Sequence, residues 1–162
     1  MADDARAESL VRALGLAPHP EGGWYRELFR SPSPPAAAGP GARAALTVIY
    51  FLLARGQRSR WHRVDADEAW LHLEGDPLEL LLLAPGATSL ERRVLGPVGA
   101  DQAPVQVVPA GWWQAAAPLG AHALASCAVG PGFEFRGFAL LDDVPPAERD
   151  AVLAVPGAAP FA

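Results

Sequence analysis

Two short runs of alternating residues, separated by an acidic turn, constrain the fold more than any other feature of the sequence. Residues 59–64 and 68–73 alternate in the way that predicts β-strands, and Asp65-Ala66-Asp67 between them is typical of a turn. Side chains two positions apart in a strand share a face, so His62 and Val64 should point away from Trp61 and Arg63. If the two strands pair, they can bring together on one cavity wall His62, Glu68, Trp70 and His72. Whether or not they pair, we expect His62 and Glu68 to point inward across a closed barrel and to meet there.

The rest of the chain repeats this pattern of short apolar runs between glycine and proline turns. Further strands are predicted over 24–29, 44–53, 78–83, 90–95, 105–108, 112–116, 121–129 and 133–141. Apolar residues at helical spacing predict a helix over 4–15, ended by Gly15, and we expect a second short helix over 145–153. The pattern favours an all-β sandwich or jelly roll with a short helix near each end of the chain.

Composition limits both the class of protein and its partners. A chain of 162 residues that is 51% hydrophobic is expected to form one domain over 1–162. The net charge of −5 and the lack of a basic block argue against nucleic-acid binding. The apolar runs are too short for a membrane span, and residues 1–15 lack the apolar centre of a signal peptide. We therefore expect a soluble, cytoplasmic protein.

Two residue counts exclude whole classes of chemistry. The chain contains no lysine, which excludes a Schiff base and a Walker-type phosphate site. Cys127 is the only cysteine, so no intrachain disulfide and no thiolate zinc cluster can form. Because Cys127 lies within an apolar run, we predict a small buried core residue rather than a nucleophile.

The run from Gly56 to Asp76 resembles motif 1 of the cupin superfamily, in which a glycine precedes His-x-His, a glutamate and a second glycine. Gly56, His62, Glu68 and Gly75 match that spacing, whereas Val64 stands where the second histidine is expected. A second block that resembles the superfamily's Pro-x-Gly-x-x-His is present as Pro109-Ala110-Gly111-Trp112-Trp113-Gln114, with Gln114 in place of histidine. Two of the four usual metal-ligand positions are therefore kept.

The resemblance narrows to the DUF985, or cupin 5, family. The segments that carry it are His19–Glu27, Thr47–Leu53, Gly75–Leu78, Val108–Trp112 and Gly130–Phe135, and the resemblance covers a core of about residues 8–142. It implies a double-stranded β-helix, usually dimeric, with a cavity that binds a small molecule. It does not imply a particular reaction.

Three functions remain open at this point. In the first, His62 and Glu68 form the acid–base pair of a metal-independent isomerase or epimerase acting on a sugar-like or anionic metabolite. In the second, His62, Glu68 and Gln114 bind a divalent metal (Fe, Ni, Zn or Mn) in a dioxygenase- or hydrolase-type enzyme. In the third, the protein is a ligand-binding dimer without turnover. No cofactor is obligatory in the first or the third.

Other residues are expected to shape the ligand site or the dimer. The candidate binding residues are Tyr25, Glu27, Tyr50, Arg60, Trp70, His72, Trp112 and Gln114, and arginines are expected at the rim. The predicted strand over 68–73 has a second apolar face formed by Ala69, Leu71 and Leu73, which a partner subunit could cover in a homodimer. The proline-, alanine- and glycine-rich segment 31–43 is predicted to be a surface loop.

Overall fold

The computed structural model describes residues 2–32 and 42–162, with the side chains of residues 2–4 left undescribed. The strands are β1 (Ala17–Pro18), β2 (Trp24–Arg30), β3 (Thr47–Ala54), β4 (Ser59–Val64), β5 (Asp67–Gly75), β6 (Leu78–Leu83), β7 (Glu91–Leu95), β8 (Val105–Val108), β9 (Trp113–Pro118), β10 (His122–Gly130) and β11 (Phe138–Leu140). The helices are α1 (Ala2–Leu14) and α2 (Pro146–Leu153), with 3₁₀ turns at Phe135–Gly137, Leu141–Asp143 and Ala159–Phe161. Most of the predicted 31–43 loop lies outside the described residues.

The strands form two antiparallel sheets that face each other. One sheet has the order β1-β2-β3-β10-β5-β8 and the other has the order β11-β4-β9-β6-β7. Sequential strands repeatedly change sheet, which is the arrangement of a jelly roll. The predicted all-β double-stranded β-helix with a short helix near each end is confirmed.

Helices and turns cover part of the outer face of each sheet. On the six-stranded sheet, Leu10 of α1 packs with Leu52 and Leu124. On the other sheet, the C-terminal segment packs Val152 and Phe161 against a cluster that includes Trp61 and Trp113. These contacts explain why strands such as β6 are apolar on both faces. No helix among the described residues is long and apolar enough to cross a membrane.

The strands β4 and β5 do not pair with each other. β4 pairs with β9 and β11, whereas β5 pairs with β10 and β8 in the opposite sheet. The short turn between them connects one sheet to the other and does not reverse the chain within a sheet. Ala66 is buried in this turn, and the Asp65 amide donates to the Gly137 carbonyl. The two strands therefore face each other across the interior.

The strand predicted over 133–141 is mostly wrong as well. Only Phe138–Leu140 is a strand, and a 3₁₀ turn precedes it. A Cβ added at Gly137 would overlap the Asp65 carboxylate, so this turn packs tightly on the turn between β4 and β5. The aromatic residues ahead of it are thereby directed toward the barrel opening and not along a sheet edge.

Candidate functional site

One end of the barrel encloses a cavity of about 550 Å³. Its apolar walls carry residues from both sheets and from the segment before β11, namely Tyr25, Ile49, Phe51, Val64, Trp70, Val129, Phe133, Phe135 and Phe138. Two histidines and two glutamates with buried side chains are set into these walls, namely His19, Glu21, His62 and Glu68. The cavity is thus mainly apolar, with its polar groups concentrated in the interior.

β4 places His62 in this cavity. As the alternation predicts, His62 and Val64 line the interior, whereas Trp61 packs under the C-terminal segment and Arg63 pairs with Glu148 outside. The His62 ring is 2% exposed, and its Nδ1 lies 2.8 Å from the Arg60 carbonyl oxygen. A carbonyl oxygen can only accept, so Nδ1 carries the hydrogen and the neutral ring has a lone pair at Nε2.

The Nε2 atom of His62 faces Glu21. The distance to Glu21 Oε2 is 3.3 Å, and Ser59 donates a hydrogen bond of 2.8 Å to Glu21 Oε1. His19 lies on the other side of the same carboxyl oxygen, with its Nδ1 3.4 Å from Glu21 Oε2. Two imidazoles therefore flank one buried carboxyl group.

The glycines after Glu21 explain how an irregular loop holds this position. Gly22 and Gly23 have φ values of 111° and 71°, in the region that other residues rarely adopt. A Cβ at Gly22 would overlap the Arg58 carbonyl oxygen, and one at Gly23 would lie 2.7 Å from the Leu52 carbonyl oxygen. The loop between β1 and β2 thus packs directly on β3 and on the start of β4, which brings Glu21 beside His62.

The hydrogen bonds indicate how these three groups are protonated. The Glu21 amide donates to His19 Nδ1 at 3.3 Å, so that nitrogen carries no hydrogen and its single lone pair accepts from the amide, whereas His62 Nε2 presents its lone pair to Glu21 Oε2. A proton on Glu21 Oε2 would be donated to His62 Nε2, whereas an ionised carboxyl would face that lone pair. Burial raises the pKa of Glu21 to about 7 and lowers the pKa values of His19 and His62, which agrees with a neutral cluster.

Glu68 belongs to a second network on β5. Trp70 Nε1 donates to Gln114 at 3.0 Å, and Gln114 Nε2 donates to Glu68 Oε2 at 2.6 Å. Burial raises the pKa of Glu68, while the neighbouring His62 and the hydrogen bond from Gln114 oppose the rise. The Cys127 thiol also hydrogen-bonds to Glu68. Burial raises the pKa of this thiol well above its usual value, which agrees with the predicted buried core residue.

The predicted metal ligands do not fit a metal site. An indole N–H can only donate, so the Gln114 oxygen faces Trp70 and its NH₂ group faces Glu68, which leaves no amide oxygen for a metal. Val64 offers no donor, so only His62 and Glu68 of the predicted set remain. Over residues 2–32 and 42–162, no group of three or more His, Cys, Asp or Glu side chains is arranged to hold a metal ion.

The other candidate residues divide into two sets. Tyr25, Glu27 and Trp70 line the cavity together with His62 and Glu68. Five lie elsewhere. Tyr50 packs near α1, Trp112 packs at the edge of the core, and Gln114 lies behind Glu68. Arg60 bonds to Asp142 and to the Pro20 carbonyl, and the His72 ring lies 3.2 Å from the Gly75 carbonyl. The prediction that His72 lines the cavity beside Trp70 is wrong, because His72 lies further along β5, near the solvent, and is not among the residues that line the cavity.

Sequence reasoning missed His19 and Glu21. Both precede the glycine pair in a segment without periodicity, where alternation cannot assign a face. One sequence feature could have identified them: two titratable residues lie just ahead of two consecutive glycines. Such glycines allow the backbone to approach another strand closely, which would bring the preceding side chains into the interior.

Solved structures resemble this chain over most of its length. A protein from Shewanella oneidensis is 33% identical, with a TM-score of 0.76, covering 92% of this chain and 96% of its own. A hypothetical protein from Leishmania major is 30% identical, with a TM-score of 0.75 and coverages of 85% and 89%. A cupin-2 domain from Rhodospirillum rubrum is 18% identical, with a TM-score of 0.54 and coverages of 90% and 80%, which shows the fold alone. No match was found among curated proteins.

The family model described as "Cupin superfamily (DUF985)" matches residues 8–141, which is most of the chain. The barrel, its interior histidine and glutamate, and the two relatives at 30% identity or more agree with that match. The chain therefore belongs to the DUF985 family of the cupin superfamily.

Proposed function

We propose that this cupin binds a small molecule in the barrel and catalyses a metal-independent proton transfer on it, as an isomerase or epimerase does. The observation that carries the proposal is the 3.3 Å separation of His62 Nε2 and Glu21 Oε2, both buried and both facing the cavity. Glu68 remains in the site as a second carboxyl group. Glu21 takes the place of Glu68 as the direct partner of the base, because the His62 ring is in contact with the Glu21 carboxyl group.

In this proposal His62 acts as the base. Its Nδ1–H is fixed on the Arg60 carbonyl, which directs the Nε2 lone pair into the cavity. Burial lowers the pKa of His62, so the ring is neutral and able to accept a proton at pH 7. It would take a proton from a carbon next to a carbonyl group and return it to a neighbouring carbon or to the opposite face, with no net change of oxidation state.

Glu21 would control when the base is free. Its pKa is about 7, so near neutral pH the carboxyl group exists both with and without a proton, which it can donate to His62 Nε2 at 3.3 Å. When Glu21 is ionised, the His62 lone pair is available to the substrate. Once His62 is protonated, Glu21 is the adjacent group that can stabilise the imidazolium, and Ser59 holds the carboxyl in place through Oε1.

Deuterium incorporation tests this chemistry even though the substrate is unidentified. The purified protein is incubated in D₂O with a mixture of cellular metabolites, and masses are compared with an enzyme-free sample. We expect one or a few compounds to gain one mass unit with the wild type and with His72→Gln, a matched change outside the cavity, but not with His62→Gln. A complete lack of labelling by the wild type would favour the non-catalytic binder.

The metal-dependent alternative is tested in the same assay. The proposal predicts that treatment with a chelator leaves the labelling rate unchanged within about twofold, because His62 and Glu21 carry the proton transfer. Loss of labelling on chelation, with recovery on adding iron, nickel, zinc or manganese, would favour the metal-dependent alternative.

A further inference from the structure

The positive charges near the cavity lie at its opening and are already paired. Arg26 and Arg30 are the lining arginines, and both are exposed. Arg30 bonds through Nε and Nη2 to the two oxygens of Glu27, and through Nη1 to the Phe133 carbonyl at 3.0 Å. Arg26 donates from Nη1 to the Leu14 carbonyl at 3.0 Å. Glu27 and Glu134 also line the cavity, so its lining carries as many carboxylates as arginines besides the buried pair.

Of the three arginines expected at the rim, only Arg26 lines the cavity. Arg60 pairs with Asp142 on the outside, and Arg63 pairs with Glu148. The chain has no lysine, and among the described residues every arginine other than Arg26 and Arg30 lies outside the cavity lining. The buried end of the cavity therefore has no permanent positive charge.

That buried end is rich in lone pairs. His19 Nδ1 and His62 Nε2 lie 3.4 Å and 3.3 Å from Glu21 Oε2, so three acceptor atoms meet at one place. Glu68 adds a further carboxyl group. A carboxylate or phosphate bound here would lose its hydration and would face mainly hydrogen-bond acceptors, which cannot bond to it. A hydroxyl or amino group could instead donate its hydrogens to these acceptors.

The walls around these groups are aromatic. Phe51 and Trp70 pack edge to face at 5.5 Å between ring centroids, and Phe133, Phe135 and Phe138 form a second group on the opposite side. Such walls favour a flat or cyclic apolar body, and they also tolerate a positive charge through the faces of the rings.

We infer that the ligand is an uncharged or cationic cyclic molecule that carries a hydroxyl or amino group, and that this group points at His62 and Glu21. The inference rests on the proposed function in that both use the same cavity, but it concerns the charge of the ligand and not its turnover. It replaces the anionic metabolite expected from the sequence with a hydrogen-bond donor.

Three probes of nearly equal size and different charge test the inference, namely benzyl alcohol, benzylamine and benzoate. Each is titrated into the full-length protein at pH 7.5 while the Trp70 indole N–H signal, which reports on the cavity wall, is followed by NMR. We expect the alcohol and the amine to shift this signal, and benzoate to bind at least tenfold more weakly. Glu68→Gln should weaken the amine at least threefold and leave the alcohol within twofold, whereas Glu91→Gln, on the exposed strand β7, should change neither.

The result that overturns the inference is benzoate binding as tightly as the alcohol, or none of the three probes shifting the Trp70 signal. The proposed function fails separately. If the probes bind as expected and no metabolite is labelled with deuterium, the ligand class stands and the proton transfer does not. If the labelled metabolite is an anion, the proton transfer stands and the ligand class does not.

Discussion

Glu21 couples the stability of this protein to pH. Burial raises the pKa of its carboxyl group to about 7 in the folded chain, against a usual value of 4.5. Between these values the folded state keeps a proton that the unfolded state has released. The contribution of Glu21 to the free energy of unfolding is therefore complete below about pH 4.5 and is lost as the pH rises through 7, by roughly 3 kcal/mol in total.

Glu21→Gln removes this dependence, because an amide does not titrate. We expect the difference in unfolding free energy between variant and wild type to move in favour of the variant by roughly 3 kcal/mol from pH 4.5 to 7.5. The lowered pKa values of His19 and His62 act in the opposite direction below pH 6.5, and this contribution is largely common to both proteins. Urea unfolding at several pH values measures the difference, with Glu91→Gln as the control. Parallel stability curves for Glu21→Gln and the wild type would contradict the assignment.

Gln114 contributes to stability through two buried partners. Gln114→Leu leaves both the Trp70 indole N–H and the Glu68 carboxyl without their partner, so we expect a loss of about 2–4 kcal/mol in unfolding free energy. Gln106→Leu is a matched control, since the amide of Gln106 makes one half-buried bond to the Val94 carbonyl and its loss should cost about 1 kcal/mol. Equal losses in the two variants would show that the two buried hydrogen bonds of Gln114 contribute no more to the unfolding free energy than the single bond of Gln106.

The sequence placed His62 and Glu68 in the interior because strand alternation assigns faces reliably once the strands are identified. It could not place Glu21, whose position depends on contacts between the Gly22-Gly23 backbone and two strands distant in sequence. It also could not show that the Gln114 amide turns its oxygen toward Trp70, because that orientation depends on a neighbour in the opposite sheet.

At the scale of elements, the loop between β1 and β2 is the part that completes the site. Its two glycines adopt positive φ values and approach the backbone of neighbouring strands closely. The sequence left the pairing of β4 with β5 open for the same reason. A short acidic turn is compatible both with reversal in one sheet and with a crossing between sheets, and only the pairing of each strand with other strands decides between them.

Gly22→Ala tests the role of this loop, and Gly56→Ala is its control. Both glycines have positive φ values, so each alanine should cost about 1–2 kcal/mol in unfolding free energy. A Cβ at Gly56 meets nothing within 4 Å, whereas one at Gly22 overlaps the Arg58 carbonyl. We therefore expect Gly22→Ala alone to lose additional stability and to abolish deuterium labelling. If the two variants behave alike, the close approach of the loop is not needed.

At the scale of the whole molecule, the homodimer stays a prediction, and the outer face of β5 and β8 supports it. Ala69 pairs with Val107 and Leu71 with Val105, which places four apolar side chains side by side on this face. Both valines are 47% exposed, and β8 is the edge strand of its sheet. We expect a second copy of the chain to cover this surface.

Sedimentation at micromolar concentration tests the dimer. The wild type should sediment as a dimer, and Val107→Arg should sediment as a monomer because it places a charge in the centre of the apolar face. Val98→Arg is the control, since Val98 is 87% exposed in a loop away from this face. A monomeric wild type, or a dimer that survives Val107→Arg, would contradict the predicted interface.

The protonation state of His62 gives the most direct test of the proposed site, because the base, its partner and the chemistry of the cavity all depend on it. Nitrogen-15 NMR of the histidine side chains, followed from pH 8 to pH 5, reports which ring nitrogen carries hydrogen and when the ring becomes charged. We predict that His62 carries its hydrogen on Nδ1 and becomes charged only below pH 6.5, because burial lowers its pKa. A ring that carries its hydrogen on Nε2, or that becomes charged near pH 6.5 as an exposed histidine does, would contradict the proposed site.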